Sequence, residues 1–138
     1  MSQDNCVFCK IVSGELSTHK IYENSDVLVF LDIHPVNKGH SLVIPKKHYD
    51  NIYETPEDTL ANMITVAKIV SRGLKAGLKA EGVNVTMNND SMAGQVIFHS
   101  HMHVIPRFSG DGFGPWISKG PYASGEAERM RDTITQAL

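Results

Sequence analysis

Hydrophobic positions along the chain follow two different periods, one typical of strands and one typical of a helix. From about Pro56 to Lys79, apolar residues recur every three or four positions, which predicts one long helix. Thr55 is the predicted N-cap, and Pro56 suits the first helical position. Apolar runs bounded by turn residues predict strands at 19–24, 27–33, 40–45, 83–89 and within 95–107.

This order of elements predicts an α+β fold. Several strands precede the long helix, and two strands joined by a short loop follow it, so we expect an antiparallel sheet. The opening segment 6–14 suggests a short helix or an irregular turn, and a short C-terminal helix is expected from Glu126. With 138 residues, the chain has the length of one domain with its own core.

Composition and charge exclude several classes of partner. The formal net charge of −2 gives no global attraction to nucleic acid or to an anionic membrane. No apolar run approaches the roughly 20 residues that span a bilayer, and the N-terminus lacks the layout of a signal peptide. We therefore expect no nucleic-acid partner, no membrane partner and a cytoplasmic location.

Candidate chemistry is concentrated in "QVIFHSHMHVIPR", residues 95–107, where three of the seven histidines stand at alternate positions. In a strand, His99, His101 and His103 would share one face. Three interpretations are open: a polar sheet face, a catalytic zinc held by three imidazoles, or separate roles with one imidazole acting as a nucleophile. His19 and His34 suggest no such role and are expected to be surface or loop histidines.

The preceding stretch "NNDSMAGQ" favours the nucleophile interpretation. Gly94 would let a backbone approach an anion closely, and Asn88 and Gln95 carry neutral amides that can donate to phosphate oxygens. The sequence has no Walker-type loop and no GxGxxG motif. Phosphate chemistry would therefore depend on positioning and hydrogen bonds.

Both cysteines lie in one CxxC motif, "CVFC", at Cys6 and Cys9. In an intracellular protein this spacing indicates a metal site or a redox pair more than a structural disulfide. No thioredoxin-like βαβ pattern surrounds the motif, which disfavours the redox pair. Two unpaired thiols without a metal are the remaining alternative.

"HSHMHVI" closely resembles the signature of the histidine triad (HIT) family, His-φ-His-φ-His-φ-φ with φ apolar. "CVFCKIVSGE", "VFLDIHPVNKGHSLVIPKKHY" and "NNDSMAGQVIFHSHMHVIPR" also resemble family blocks in family order, from about Cys6 to Arg107. The resemblance implies a HIT domain over 1–107 and a C-terminal extension over 108–138. It implies a sheet of about five antiparallel strands with one long and one short helix, extended across a homodimer.

The resemblance further implies a nucleotidyl hydrolase or transferase. His101 would attack the α-phosphorus and form a nucleotidyl-histidine intermediate, and His103 would hydrogen-bond the phosphate in the transition state. The expected substrate is a purine nucleoside phosphoramidate or similar conjugate, which yields a nucleoside monophosphate. Diadenosine polyphosphate hydrolysis and nucleotide sensing with weak turnover are the alternatives.

Individual positions carry over from the family blocks. Asp32 matches the acid that accepts from ribose hydroxyls, and plain core packing is an equal alternative for Ile11 and Leu42. Two positions depart from the family: Val96 replaces a usual Ser or Thr of phosphoramidase relatives, and Ser100 replaces an apolar residue. The nucleotide-binding positions implied are Val7, Phe8, Ile11, Phe30, Asp32, Ile33, His40, Leu42, Asn88, Gly94, Gln95, Val96 and His103.

In some HIT proteins a CxxC pair binds zinc together with two histidines. Here the matching ligands are Cys6, Cys9, His48 and His99. Two thiolates and two imidazoles form a closed tetrahedral set, which implies a structural zinc ion. In the C-terminal extension, Trp116 either reaches the site of a partner subunit or belongs to a mobile tail.

Overall fold

The computed structural model describes residues 3–114 and 116–138, and a five-stranded antiparallel sheet forms its centre. The strands are β1 (Lys20–Glu23), β2 (Val27–Leu31), β3 (Ser41–Pro45), β4 (Gly82–Thr86) and β5 (Met102–Arg107), in the order β1-β2-β3-β5-β4. The helices are α1 (Val7–Val12), α2 (Glu57–Leu78) and α3 (Glu126–Gln136), with 3-10 turns at Gln3–Asn5 and Ser91–Ala93. The predicted α+β class is confirmed.

The two faces of the sheet are covered by different helices, and β2 shows the consequence. Val27 and Val29 pack in the cluster formed with α2, whereas Leu28 and Phe30 pack in the cluster formed with α1. Both sets of side chains are buried, so β2 is apolar throughout although its residues alternate between faces. The α2 residues in its cluster are Met63, Val66, Ala67, Val70 and Leu74.

The ends of α2 differ from the prediction by one residue. Its N-cap is Pro56, which makes no side-chain capping bond. Thr55, the predicted N-cap, instead donates its hydroxyl proton to the Asn51 carbonyl at 2.7 Å. The helix ends at Lys79, whose backbone is left-handed with φ 59°.

The strand predicted through all three triad histidines is shorter than expected, and this prediction is wrong for two of them. β5 contains His103 but neither His99 nor His101, which lie in the irregular segment before it. The reason is a hydrogen bond outside the sheet. The Ser100 N–H donates to the Tyr49 carbonyl at 2.6 Å rather than to a neighbouring strand.

The first residues after β5 remain tied to the sheet. The Asp111 carboxylate accepts two bonds of 2.9 Å from the Arg107 guanidinium and one of 2.7 Å from the Asn37 amide. The guanidinium, more than any other contact, holds the pKa of Asp111 well below its usual range. The contacts of the domain thus continue past residue 107, whereas α3 has no buried residue.

Candidate functional site

A cleft of about 690 Å³ opens on the α1 side of the sheet. It brings together all of the predicted nucleotide-binding positions except His40 and Gln95. Its lining is mostly apolar, and none of the described residues in it is a lysine or an arginine. The lining residues are Val7, Phe8, Ile11, Leu16, Ser17, Thr18, Phe30, Leu31, Asp32, Ile33, His34, Leu42, Asn88, Gly94, Val96, Ile97, His101 and His103.

His101 presents a free imidazole nitrogen at this cleft. Its Nδ1 lies 2.7 Å from the His99 carbonyl, which can only accept, so Nδ1 carries the proton and donates it. Burial, as the main cause, lowers the pKa of His101 and keeps the ring neutral. Nε2 therefore holds an unprotonated lone pair, which is the form that a nucleophile requires.

A hydrogen-bond chain behind the cleft determines where His103 carries its proton. The Val36 N–H donates to His40 Nδ1 at 3.1 Å, so the proton of the neutral His40 ring resides on Nε2. His40 Nε2 then donates to His103 Nδ1 at 2.9 Å. His103 Nε2 must carry the remaining proton. We call His40, His103 and the nearby Asp32 the relay.

Burial keeps the relay imidazoles neutral. Burial, together with the neighbouring imidazoles of His101 and His40, lowers the pKa of His103 to about 4. It also lowers the pKa of His40, against the opposing effect of the Asp32 carboxylate. The Asp32 carboxylate lies 3.6 Å from His40 Nε2, beyond hydrogen-bond distance. His40 itself lies behind His103 and does not line the cleft.

Gly94 and Asn88 meet where the loop between β4 and β5 lines the cleft. Gly94 has φ 95°, and a Cβ there would lie 3.3 Å from Asn88 Nδ2. A side chain at residue 94 would therefore be strained and would also press on the Asn88 amide. The role of Gly94 in this structure is to let the Asn88 side chain pack against the loop.

Gln95 differs from the expectation that its amide donates to a ligand. Its Nε2 donates to the Asp50 carbonyl at 2.6 Å and to the Ile97 carbonyl at 3.1 Å, and its Oε1 accepts from the Asp90 N–H at 2.8 Å. Both amide protons are thus committed to the backbone, and the side chain is buried. Gln95 therefore stabilises the loop conformation and has no free amide proton for a ligand.

Phe8 connects the apolar wall to the triad. Its ring makes edge-to-face contacts with Phe30 at 5.5 Å and with His101 at 5.2 Å between centroids. Ile33 and Val96 lie at the cleft with 79% and 78% of their surface exposed, so they have free apolar area that a ligand can cover.

Sequence reasoning missed several lining residues. These are Leu16, Ser17, Thr18, Leu31, His34 and Ile97. Leu16, Ser17 and Thr18 lie in the loop between α1 and β1, where no periodic pattern gives a signal. His34, expected to be a surface or loop histidine, is exposed and also lines the cleft.

The four predicted metal ligands, one of which is the triad residue His99, lie together. We call them the metal group: Cys6, Cys9, His48 and His99. All their donor atoms lie within 4.8 Å of one another. His99 Nδ1 is 3.4 Å from Cys6 Sγ and 3.5 Å from Cys9 Sγ, and His48 Nδ1 is 3.3 Å from Cys9 Sγ. Tetrahedral zinc bonds of about 2.3 Å to sulfur and about 2.0 Å to nitrogen imply S···N edges of roughly 3.5 Å. The donor set therefore fits zinc.

The ring nitrogens of the metal group that point away from the sulfurs are also hydrogen-bonded, as is usual for zinc-binding imidazoles. His99 Nε2 donates to the Pro45 carbonyl at 2.8 Å, and His48 Nε2 donates to the Asp50 carboxylate at 2.7 Å. Each bond leaves Nδ1 unprotonated and facing the sulfurs. Burial and the adjacent Cys6 raise the pKa of the Cys9 thiol to about 11, so zinc binding would have to displace its proton.

The relay also has metal-ligating residue types, but its geometry disfavours a metal. His40 Nε2 and His103 Nδ1 are 2.9 Å apart, whereas two imidazole ligands of tetrahedral zinc would be roughly 3.3 Å apart. The Val36 N–H also assigns the proton between them. A three-histidine zinc site is disfavoured as well, because His99 faces the cysteines and His103 faces His40.

A family model described as the HIT domain matches residues 13–110. The chain belongs to the HIT family. An uncharacterized HIT-like protein of Methanocaldococcus jannaschii is 50% identical over 107 residues, 78% of this chain and 82% of the relative. Adenylylsulfatase HINT3 of Arabidopsis thaliana is 44% identical over 105 residues, 76% of this chain and 53% of the relative.

Solved structures agree with this assignment. A HIT family protein from Bacillus anthracis superposes with a TM-score of 0.90 at 38% identity and covers 99% of both chains. A Zn-bound histidine triad family protein from Mycobacterium smegmatis has a TM-score of 0.78 at 37% identity and covers 99% of this chain and 97% of its own. The family identification and the HIT fold are thereby confirmed.

Proposed function

We propose that this protein hydrolyses a purine nucleoside phosphoramidate, or a similar conjugate, to a nucleoside monophosphate. The observation that carries the proposal is the orientation of His101, whose Nδ1 proton is donated to the His99 carbonyl while neutral Nε2 faces an apolar cleft. An imidazole in this state can attack phosphorus directly. The base would lie between the Phe30 and Ile11 sides of the cleft, with the ribose near Asp32.

The reaction balances in two steps. The His101 Nε2 lone pair forms a bond to the α-phosphorus as the phosphorus–amine bond breaks, and the amine takes up a proton from solvent as it leaves. Water then attacks phosphorus, the phosphorus–histidine bond breaks, and the attacking water releases one proton to solvent. The net reaction consumes one water and yields a nucleoside monophosphate and an amine. His103 Nε2–H is the donor available to a phosphate oxygen on which charge develops.

The charge of the cleft favours a phosphoramidate over a diadenosine polyphosphate. Asp32 is acidic, and none of the described lining residues is basic. A single phosphate can be bound by neutral donors such as the Asn88 amide and the His103 ring. A polyphosphate chain would add several negative charges without a cation to offset them.

We further propose that zinc occupies the metal group as a structural ion. Its four donors would hold the segment before β5 against α1, which leaves His101 free for chemistry. The Zn-bound relative from Mycobacterium smegmatis supports this proposal.

A homodimer that extends the sheet is proposed from the edge strand β4. The outer edge of β4 has no paired strand among the described residues, and Val85 and Ile64 are 42% and 50% exposed. A second copy that paired with this edge would cover both.

The HIT domain over 1–107, the extension over 108–138 and a cytoplasmic location remain proposals as well. No described helix is long and apolar enough to cross a membrane.

The test compares the wild type with His101→Ala on three substrates: adenosine 5′-phosphoramidate, diadenosine tetraphosphate and adenylyl sulfate, the last because of the HINT3 relative. AMP release is followed by chromatography. His19→Ala is the matched control, since His19 is exposed and lies outside the cleft lining. We expect AMP release from the phosphoramidate by the wild type and the control, and a loss of at least about a thousandfold in His101→Ala.

Two results would contradict the proposal. Faster turnover of diadenosine tetraphosphate or of adenylyl sulfate would reassign the substrate class. Tight AMP binding without release from any substrate would instead support a nucleotide-sensing protein. Binding of AMP to His101→Ala, measured by calorimetry, shows whether the cleft of the variant is intact.

A further inference from the structure

The segment that carries His101 lies outside the sheet and is held instead by hydrogen bonds to a loop. Ser100 lies between His99, whose carbonyl accepts the His101 Nδ1 proton, and His101 itself. Ser100 is 0% exposed. It also occupies a position that the HIT signature fills with an apolar residue.

Hydrogen-bond chemistry fixes the direction of the bonds around this hydroxyl. Thr55 Oγ1 lies 2.7 Å from the Asn51 carbonyl and 2.9 Å from Ser100 Oγ. Thr55 has one hydroxyl proton, and a carbonyl can only accept, so Thr55 donates to Asn51. Ser100 must therefore donate to Thr55. Both side chains are buried, and neither hydroxyl is left unsatisfied.

A second bond holds the same residue. The Ser100 N–H donates to the Tyr49 carbonyl at 2.6 Å. Tyr49, Asn51 and Thr55 all belong to the loop between β3 and α2. Ser100 is thus attached to this loop through its backbone and through its side chain.

We propose that Ser100, through Thr55, is a positioning residue for His101 in the reaction proposed above, on which this inference rests. The Ser100 N–H bond holds the peptide group between His99 and Ser100, and the hydroxyl bond holds the Ser100 side chain. That peptide group contains the His99 carbonyl that orients the His101 ring. Without the Ser100 hydroxyl, only the backbone bond would hold this segment. The His101 ring would then be free to turn away from the direction in which it attacks phosphorus.

The first variant is Ser100→Ala, which removes the donor and leaves Thr55 bonded to Asn51. We expect kcat to fall about tenfold with KM within about twofold, because small displacements of a nucleophile cost rate rather than ground-state binding. The matched control is Ser71→Ala. Ser71 is partly buried in α2 and donates its hydroxyl to the Ala67 carbonyl at 2.7 Å. We expect kcat and KM of this control to remain at wild-type values.

A conservative pair of variants separates positioning from packing. Thr55→Ser keeps the accepting hydroxyl and should retain wild-type kcat. Thr55→Val has a similar volume but lacks the hydroxyl, and it should reproduce the kcat loss of Ser100→Ala. Equal kcat in Thr55→Ser and Thr55→Val, at matched folded fraction, would overturn the proposal.

A readout independent of turnover distinguishes this inference from the proposed function. In ¹⁵N-histidine-labelled protein, the proton on His101 Nδ1 is observed by NMR and assigned by its absence in His101→Ala. We expect its exchange with water to be at least about tenfold faster in Ser100→Ala than in the wild type or Ser71→Ala. Unchanged exchange would overturn the positioning role, whereas faster exchange in a protein without turnover would support it and reject only the proposed reaction.

Discussion

The metal group and the relay are neighbouring clusters with two imidazoles each, and they differ in what the remaining nitrogens face. In the metal group, His48 and His99 are oriented by a carboxylate and a carbonyl, and their unprotonated nitrogens face two sulfurs. In the relay, a backbone N–H orients His40, and the last proton of the chain faces the cleft. The first arrangement is closed and suits a cation. The second is open and suits a phosphate oxygen.

The role of each triad histidine therefore depends on the group that binds its other nitrogen. When a carbonyl binds one ring nitrogen, that nitrogen carries the proton and the other ring nitrogen keeps a lone pair. When an N–H group binds one ring nitrogen, that nitrogen keeps the lone pair and the other carries the proton. Changes in the metal group should therefore affect stability, and changes in the relay should affect rate.

The largest effect is expected from Cys6→Ser in the metal group. Cys6 is fully buried, and its loss should abolish stoichiometric zinc binding, measured by metal analysis. The free energy of unfolding should fall by several kcal/mol, since structural zinc sites bind with about 10–16 kcal/mol in small domains. His19→Ala is the control. Full zinc content in Cys6→Ser would remove the basis for a distinct metal group.

His103→Ala should act on rate. We expect kcat for the phosphoramidate to fall about a hundredfold, because a donor to the developing charge is lost. Zinc content should remain that of the wild type. Steady-state kinetics and metal analysis on the same preparation check both statements, and a variant that loses zinc while keeping kcat would reverse the assignment of the two clusters.

His40→Leu tests the relay one step further from the cleft. Without the His40 donor, His103 Nδ1 is free to take the proton and Nε2 loses it in part of the molecules. We expect kcat to fall about tenfold, as observed for groups that orient functional imidazoles. A long-range ¹H–¹⁵N spectrum of the histidines should show the change of tautomer at His103.

The pH dependence should show the burial of His101 and His103. Burial lowers the pKa of His101, and lowers that of His103 to about 4. An ordinary imidazole is half protonated near pH 6.5, but these rings stay neutral there, so the acid limb of kcat/KM should lie below pH 6.5. Because the unfolded chain binds protons at a higher pH than the folded chain, stability should fall as pH decreases from about 6.5 towards 4. An acid limb at or above pH 6.5 would contradict this burial.

Ionic strength should have the smallest effect. Because no described residue lining the cleft is basic, KM for the phosphoramidate should change less than about twofold between roughly 0.05 and 0.5 M salt. A steep rise of KM with salt would show that cations from elsewhere, such as a partner subunit, take part in binding.

Much of the fold could be predicted from local pattern. The apolar period of α2 and the runs of β2 and β3 are properties of short stretches, and they appear where expected within one or two residues. The failures share a physical cause. Thr55 is not a cap because its hydroxyl bonds Asn51 and Ser100, and the triad segment leaves the sheet because Ser100 bonds Tyr49.

The candidate site, like the fold, could be predicted from the sequence only in part. Residue types and spacing, together with the resemblance to the HIT family, were enough to name the metal group and most of the cleft lining, because motifs list which residues are present. Only the tertiary structure determined the direction of each imidazole and the place of the Gln95 amide. These depend on single carbonyls and N–H groups such as those of Pro45, Val36 and Asp50, which distant chain segments bring within hydrogen-bond distance.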